Sequence, residues 1–343
     1  MIKELLEKQQ PVVYRALNRA CRDQRISSAY LFTGPYGTPK YETAVLLAQS
    51  ILCEKGEGLA CEECNTCRRV REGLYADMII LDGRTQSISK EMIDGIQSQF
   101  SETALEQNGQ RVYIIRNAEN ATISAQNSML KFLEEPGPGV TAILTTDNAE
   151  RILPTIQSRC TILQFTPMAF EDYFKMAADC GVPEDDAYFL AHIAKTQEDM
   201  DRLYPEDDGR RRQSKEFANA VLMLKQYLNL EGMERNDLLV DFEVSYRSKE
   251  SDASKAKASN LILIPAFLDL LSLYAHDVIR HDAGGPSWYR DEVMHAKGSD
   301  IDYGKLIMII AEEKDRCNRF NDLNLLLGQA FMRLEEFNND HHW

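Results

Sequence analysis

Positive charge is what this 343-residue sequence is short of: 39 Lys and Arg stand against 54 Asp and Glu, a net charge of −15. A protein whose main task is to grip nucleic acid by its phosphates carries the opposite balance, so that class is disfavoured, though a local basic patch is still compatible with the total. Also missing is any apolar run approaching the roughly 20 residues of a membrane span. The first residues, Met1-Ile2-Lys3-Glu4-Leu5-Leu6-Glu7-Lys8, are polar and amphipathic and lack the apolar core of a signal peptide. Together these absences predict a cytoplasmic protein with no membrane partner. In a reducing compartment, eight cysteines are thiols or metal ligands rather than disulfides. The length predicts two or three domains, and 44% apolar residues suffice for a sizeable core.

The most informative absence is local. Tyr30 to Thr33 reads as a short apolar strand, followed by Gly34-Pro35-Tyr36-Gly37-Thr38-Pro39-Lys40-Tyr41 and a helix from about Pro39. This is the layout of a phosphate-binding loop, G-x-x-x-x-G-K-[S/T]. Gly34 and Lys40 are in place, but Pro39 replaces the second glycine and has no N–H for a phosphate oxygen. Tyr41 replaces the Ser/Thr whose hydroxyl holds magnesium. A later apolar strand, Gln110 to Ile115, should end in the Asp-Glu pair of a working nucleotidase, and ends instead in Arg116-Asn117. Glu119 falls past the catalytic position and is not assigned a role.

Alternating patterns fill the rest of the first half. Residues 10–28 have helical spacing through Val12, Val13, Ala16, Leu17, Ala20 and Cys21, and Thr43 to Leu52 reads as a buried helix. Asp77–Leu81, Val140–Thr146 and Thr161–Phe165 read as strands, and Ser89–Ser101 and Ser124–Glu135 as helices, the latter stopped by Pro136. Such alternation predicts a mostly parallel sheet covered on both faces.

Between these elements lies Cys53-x7-Cys61-x2-Cys64-x2-Cys67, in a polar segment. Four cysteines at this spacing fit tetrahedral zinc ligation, with Cys61 and Cys64 chelating from a tight turn and Cys53 and Cys67 closing the site from flanking helices. With every position taken by protein, the metal would be structural. Four reduced structural cysteines, or a redox C-x-x-C, are the alternatives; free cysteine prefers burial, whereas this segment is hydrophilic.

Four features in this order, Ala29-Tyr30-Leu31-Phe32-x-Gly34-Pro35, the cysteine insert, Ser128-Met129-Leu130-Lys131-Phe132-Leu133-Glu134-Glu135-Pro136 and Leu153-Pro154-Thr155-Ile156-Gln157-Ser158-Arg159-Cys160, resemble the clamp loader clade of the AAA+ superfamily, subunits of bacterial DNA polymerase III. The resemblance covers about the first half of the chain. It implies an α/β domain of AAA+ P-loop type at 1–166 with a zinc insert at 53–67, a small all-helical lid at 167–212 and an all-helical oligomerisation collar at 213–343. It implies that Arg159 is an arginine finger reaching the ATP site of an adjacent subunit, where residue type alone suggests a surface arginine at a strand start. Thr145 or Thr146 falls where a sensor residue lies, without a nucleotide to sense. The departures at Tyr41, Arg116 and Asn117 imply no intrinsic ATPase and no ATP binding, leaving Gly34, Gly37 and Lys40 as remnants. The implied function is a non-hydrolysing stator in a ring that loads a sliding clamp onto primer-template DNA. Its implied partners are the gamma/tau ATPase and delta subunits, with clamp and DNA engaged through the complex. Two alternatives stay open: an active ATPase of gamma/tau type, with Lys40 alone positioning phosphate, and a zinc-dependent nucleic-acid binder.

Beyond residue 169 the patterns are helical. Phe170, Tyr173, Phe174 and Ala177, then Ala187, Phe189, Leu190 and Ile193, suggest the lid, although Lys195–Asp199 offers no recognisable sensor arginine. Tyr204–Gly209 reads as a linker, Arg210-Arg211-Arg212 as a solvated helix start and Ser251–Ser259 as a loop or helix start. The stripes Phe217/Val221/Leu224/Leu228, Leu263/Phe267/Leu270/Leu271/Tyr274/Val278, Leu306/Ile309/Ile310 and Leu323/Leu326/Leu327/Phe331/Leu334 read as helices. Trp288–Asp291 and Asn321–Leu325 carry a looser resemblance to the same clade, and His341-His342 reads as an exposed tail.

Overall fold

A computed structural model describes residues 1–56, 58–84, 86–101, 105–106, 109–207, 210–230, 234, 236–239, 253–296, 301–317 and 332–337. The chain divides into two compact units, Met1–Met168 and Ala169–Trp343.

The first unit is built on five strands, β1 (Ala29–Thr33), β2 (Met78–Asp82), β3 (Arg111–Arg116), β4 (Val140–Thr146) and β5 (Thr161–Gln164), all parallel, in the order β2-β3-β4-β1-β5. Its inner strands read as unbroken apolar runs because helices cover both faces, and β4 is buried at all seven positions. Side chains alternate between faces. Tyr30, Phe32, Val112, Ile114 and Ile143 join one core with α1 (Ile2–Gln9), α2 (Pro11–Arg22), α3 (Lys40–Leu52) and α4 (Asn65–Arg71). Leu31, Tyr113, Ile115, Ala142 and Leu144 join the other with α5 (Lys90–Ser101) and α6 (Ile123–Glu134). The predicted strands and helices are thus present, mostly with shifts of one residue at an end. Residues 10–28 hold a single helix, α2, and Val12 points to solvent at 68% exposure, so the apolar stripe there is narrower than the sequence suggested.

Because β1 lies between β4 and β5, the crevice beyond its C-terminal end is the switch point where open α/β sheets bind ligands. The Gly34–Tyr41 loop is there. A Cβ on Gly34 would lie 2.6 Å from the Phe165 carbonyl oxygen, and Gly37 has φ +86°, so both glycines are required by the backbone path itself.

Among the described residues the second unit is helical apart from one short hairpin: α8 (Phe170–Asp179), α9 (Glu184–Ile193), α10 (Gln197–Leu203), α11 (Lys215–Asn229), α12 (Ala253–Arg280), α13 (Ser287–His295) and α14 (Tyr303–Cys317), after a one-turn α7 (Pro154–Gln157) in the first unit. The stripe residues Phe217, Leu224, Leu228, Leu263, Phe267, Leu270, Leu271, Tyr274, Val278, Leu306, Ile309, Ile310 and Leu334 share one core. Two sequence readings change. The triple arginine starts no helix: Arg210–Arg211 pairs with Glu206–Asp207 in a two-residue-per-strand hairpin, and Arg211 is tied to the Tyr204 carbonyl and to Asp201 at 2.7 Å. A run long and apolar enough for a span does exist, at Ile262–Arg280, with mean hydropathy 1.6. Most of its apolar side chains are core of the helical unit, Ile279 being exposed, and it contains Asp269 and Asp277. Ser251–Ser259 lies partly within α12, which starts at Ala253. Asn321–Leu325, Leu326, Leu327, Phe331 and His341-His342 lie outside the described residues.

Candidate functional site

Lys40 opens α3, and its ammonium has no donor to spare. Nζ lies 2.8 Å from the Gly34 carbonyl, 2.7 Å from the Pro35 carbonyl, 2.7 Å from Thr38 Oγ1 and 2.9 Å from Asp147 Oδ1. An ammonium has three N–H groups, and four acceptors surround this one. Its side chain is 6% exposed. The loop's backbone also turns inward: the Thr38 N–H donates to the Pro35 carbonyl and the Lys40 N–H to the Thr38 carbonyl. A working phosphate loop aims such groups outward at an anion; here a carboxylate of the same chain takes the ammonium.

The second half of the crevice, at the ends of β3 and β4, is equally committed. Asn117, in the left-handed region at φ +50°, donates its side-chain amide to Glu119 Oε1 and Asp147 Oδ2, each at 3.1 Å. The Asp147 N–H returns to Glu119 Oε1 at 3.0 Å, and Thr145 Oγ1 accepts from the Asn117 N–H. Lys40, Asp147, Asn117 and Glu119 therefore form one polar network, in which Glu119 Oε2 is buried without a hydrogen-bond partner. Glu119, left without a role by the sequence, is buried in it, and Asp147 is the member that sequence reasoning missed.

Next to the network, the Arg116 guanidinium lies 4.2 Å from the centre of the Tyr41 ring, a cation–π contact joining two of the residues that depart from the nucleotidase pattern. Arg116 and Arg84 approach Asp82 Oδ2 at 3.5 and 3.0 Å. Burial works against the Asp82 charge, but the hydrogen bonds and positive charge of Arg84 and the charge of Arg116 outweigh it and hold the carboxyl below its usual range. Burial raises the Tyr41 phenol, with Arg116 opposing.

Arg159 follows α7 at the other side of the sheet, half-exposed. Its Nη1 donates to the Thr155 carbonyl at 2.9 Å and its Nη2 meets Glu134 Oε1 at 2.5 Å. The neighbouring Cys160 thiol is pushed up to about 11 by burial and is inert.

The four cysteines come together as their spacing predicted. Cys53 caps the C-terminal end of α3, Cys64 caps α4 and Cys67 lies inside α4. Their Sγ atoms all lie within 4.8 Å of one another, with 3.7 Å between Cys53 and Cys61 and 3.9 Å for both Cys53–Cys64 and Cys61–Cys67. Tetrahedral thiolates at a Zn–S distance of about 2.3 Å stand roughly 3.8 Å apart, so the cluster has the right size to hold a metal ion. Backbone N–H groups of Cys64 and Cys67 donate to the sulfurs of Cys61 and Cys64. Burial opposes it, yet the backbone donors of Glu63 and Cys64 and the neighbouring thiols bring the Cys61 thiol down to about 6. The turn residue Glu62, at φ +59°, sends its carboxylate to the N–H groups of Ile2 and Lys3, capping α1.

Residues 9–169 match the family described as "DNA polymerase III, delta subunit". DNA polymerase III subunit delta' of Bacillus subtilis is 42% identical over 166 residues, covering 48% of this chain and 50% of that protein. DNA polymerase III subunit gamma of Buchnera aphidicola (subsp. Schizaphis graminum) is 29% identical over 190 residues, 54% of this chain and 47% of that one. The chain thus spans about half the length of these relatives. Among solved structures, a DNA polymerase III gamma-subunit-related protein of Thermotoga maritima aligns over 98% of both chains at 15% identity, with a TM-score of 0.37.

Proposed function

We propose that the chain, whose residues 9–169 match the DNA polymerase III delta-subunit family, is a clamp loader subunit of the delta-prime kind: a stator that neither binds nor hydrolyses ATP in a ring that places a sliding clamp on primer-template DNA. The observation that carries the reading is the saturation of Lys40 by its own loop and by Asp147, matched at the other half of the crevice by Arg116 and Asn117 where carboxylates would stand. Loss on both sides of one site fits a retired nucleotide pocket. Its chemistry is supplied instead to a neighbour: Arg159 acts in trans on the γ-phosphate of an adjacent gamma/tau-type ATPase subunit, stabilising charge that develops in phosphoryl transfer. The helical unit supplies a lid at 167–212 and a collar at 213–343 that joins the other subunits, delta among them. Cys53, Cys61, Cys64 and Cys67 hold a structural zinc, whose binding energy folds the 53–67 segment onto α1 and α3.

The test is Arg159→Ala in the reconstituted ring. A missing finger costs roughly 10³-fold or more at the site it serves. Total ATPase should therefore fall by that one site's share while assembly is unchanged, and unaltered ATPase defeats the assignment. The second reading, an active gamma/tau-type ATPase, is favoured by the retained Gly34, Gly37 and Lys40 and by the gamma-subunit likeness. Tight magnesium-dependent ATP binding by the isolated chain in calorimetry would revive it, and hydrolysis of that ATP would establish it in place of the first.

A further inference from the structure

Two sequence motifs that lie some twenty residues apart, the end of α6 and the segment around α7, form one unit in three dimensions. Near the start of α6, the buried Gln126 donates to the Arg151 carbonyl at 3.1 Å and accepts the Leu153 N–H at 2.9 Å. Along its length, Met129 and Leu133 share a core with Ile152 and Ile156. At its last residue, Glu134 Oε1 lies 2.5 Å from Arg159 Nη2. Glu134 is 49% exposed and Arg159 36% exposed. An exposed pair of this kind contributes little to stability, so folding alone does not explain it.

What the contact does is fix a direction. A free arginine carries about 2 kcal/mol of rotamer entropy, which a finger must lose when it reaches an anion. Here the guanidinium is held by two different elements, the Thr155 carbonyl on Nη1 and Glu134 on Nη2. Two of its five N–H donors are engaged, so three are left for an incoming phosphate.

We propose that Glu134 is a positioning residue for Arg159, presetting the guanidinium plane in which it meets the neighbouring subunit's nucleotide. This rests on the finger reading above. Misplacing a charged group by about 1 Å can cost up to ~10²-fold, and losing one of two anchors should cost less, roughly three- to tenfold in turnover at that site.

The experiment compares wild type, Glu134→Gln, Glu134→Asp, Arg159→Ala and Glu134→Gln/Arg159→Ala in the reconstituted ring, measuring kcat and KM for ATP, with thermal melts of each isolated chain. The expected result is a lower kcat for Glu134→Gln at unchanged KM and melting temperature. Partial recovery is expected in Glu134→Asp, and the double variant should be no slower than Arg159→Ala. A Glu134→Gln kcat equal to or above wild type overturns the proposal, the latter because the carboxylate would then be holding the finger back. A further loss in the double variant also overturns it, since Glu134 would be acting apart from Arg159. If Arg159→Ala itself changes nothing, the finger reading fails first; if only Glu134→Gln is silent, the finger stands and the positioning role falls.

Discussion

Lys40 is the residue at which the retired-pocket reading is most exposed to refutation, because a working loop and a retired one assign its ammonium opposite duties. In a nucleotidase the lysine faces phosphate, and replacing it removes binding while sparing the fold. Here it is a structural tie. Lys40→Met keeps helix propensity and most of the side-chain volume but strands the Gly34 and Pro35 carbonyls, Thr38 Oγ1 and the Asp147 carboxylate. Removing one member of a fully buried ion pair costs 3–5 kcal/mol, and each unsatisfied buried acceptor about 1–3. Asp147 is 30% exposed, so water recovers part of that loss. The remainder is about 2–4 kcal/mol. In a unit of this size each kcal/mol shifts the midpoint by about 2–4 °C, so calorimetry of the intact chain should show its N-terminal unit melting roughly 4–16 °C lower. Hydrogen exchange at residues 29–33 and 140–146 identifies which unit has weakened. A melting temperature within about 1 °C of wild type would refute the tie, as would magnesium–ATP binding that Lys40→Met abolishes.

Two other perturbations separate cleanly. Metal analysis should find one ion per chain, and both chelation and Glu62→Ala should raise hydrogen exchange at residues 2–9; because Glu62 caps α1 and is not one of the four clustered cysteines, Glu62→Ala should keep its metal, and a protected α1 in that variant would rule out the coupling. His192 is pushed down to about 4 by burial, with the charges of Lys195, Arg280 and His276 adding to this and its hydrogen bond to the Tyr188 carbonyl opposing it. Its unfolded form takes up a proton near 6.5 while the folded form does not, so stability falls as pH drops from about 6.5 to 4, by at most a few kcal/mol. Replacing it by Gln should flatten that part of the stability–pH curve measured by urea titration, and an unchanged slope would exclude His192 as its source.

What could be read from the sequence follows a physical division. Strands buried on both faces, such as Val140–Thr146, announce themselves because every position is constrained by packing, and the cysteine cluster does so because its spacing is one that a chelate would require. The hairpin at 206–211 could not be read, since two-residue strands have no periodicity and its arginines look like any solvated charge run. Asp147, Glu62 and Glu134 escaped for a different reason. In a chain with 54 acidic residues a single carboxylate carries no pattern, and each of these acquires its partner only when distant segments meet. The three share one feature: Asp147 just past β4, Glu62 in the loop between α3 and α4, and Glu134 at the last residue of α6 each satisfy a group that another part of the chain brings to them. The departures at Tyr41, Arg116 and Asn117 could be recognised because they interrupt a known spacing, whereas the contacts these positions make form across the fold. A Glu134 that orients Arg159 would also give a physical reason for the Leu-Glu-Glu-Pro and Ser-Arg-Cys segments to occur together, since neither motif is complete as a structure without the other.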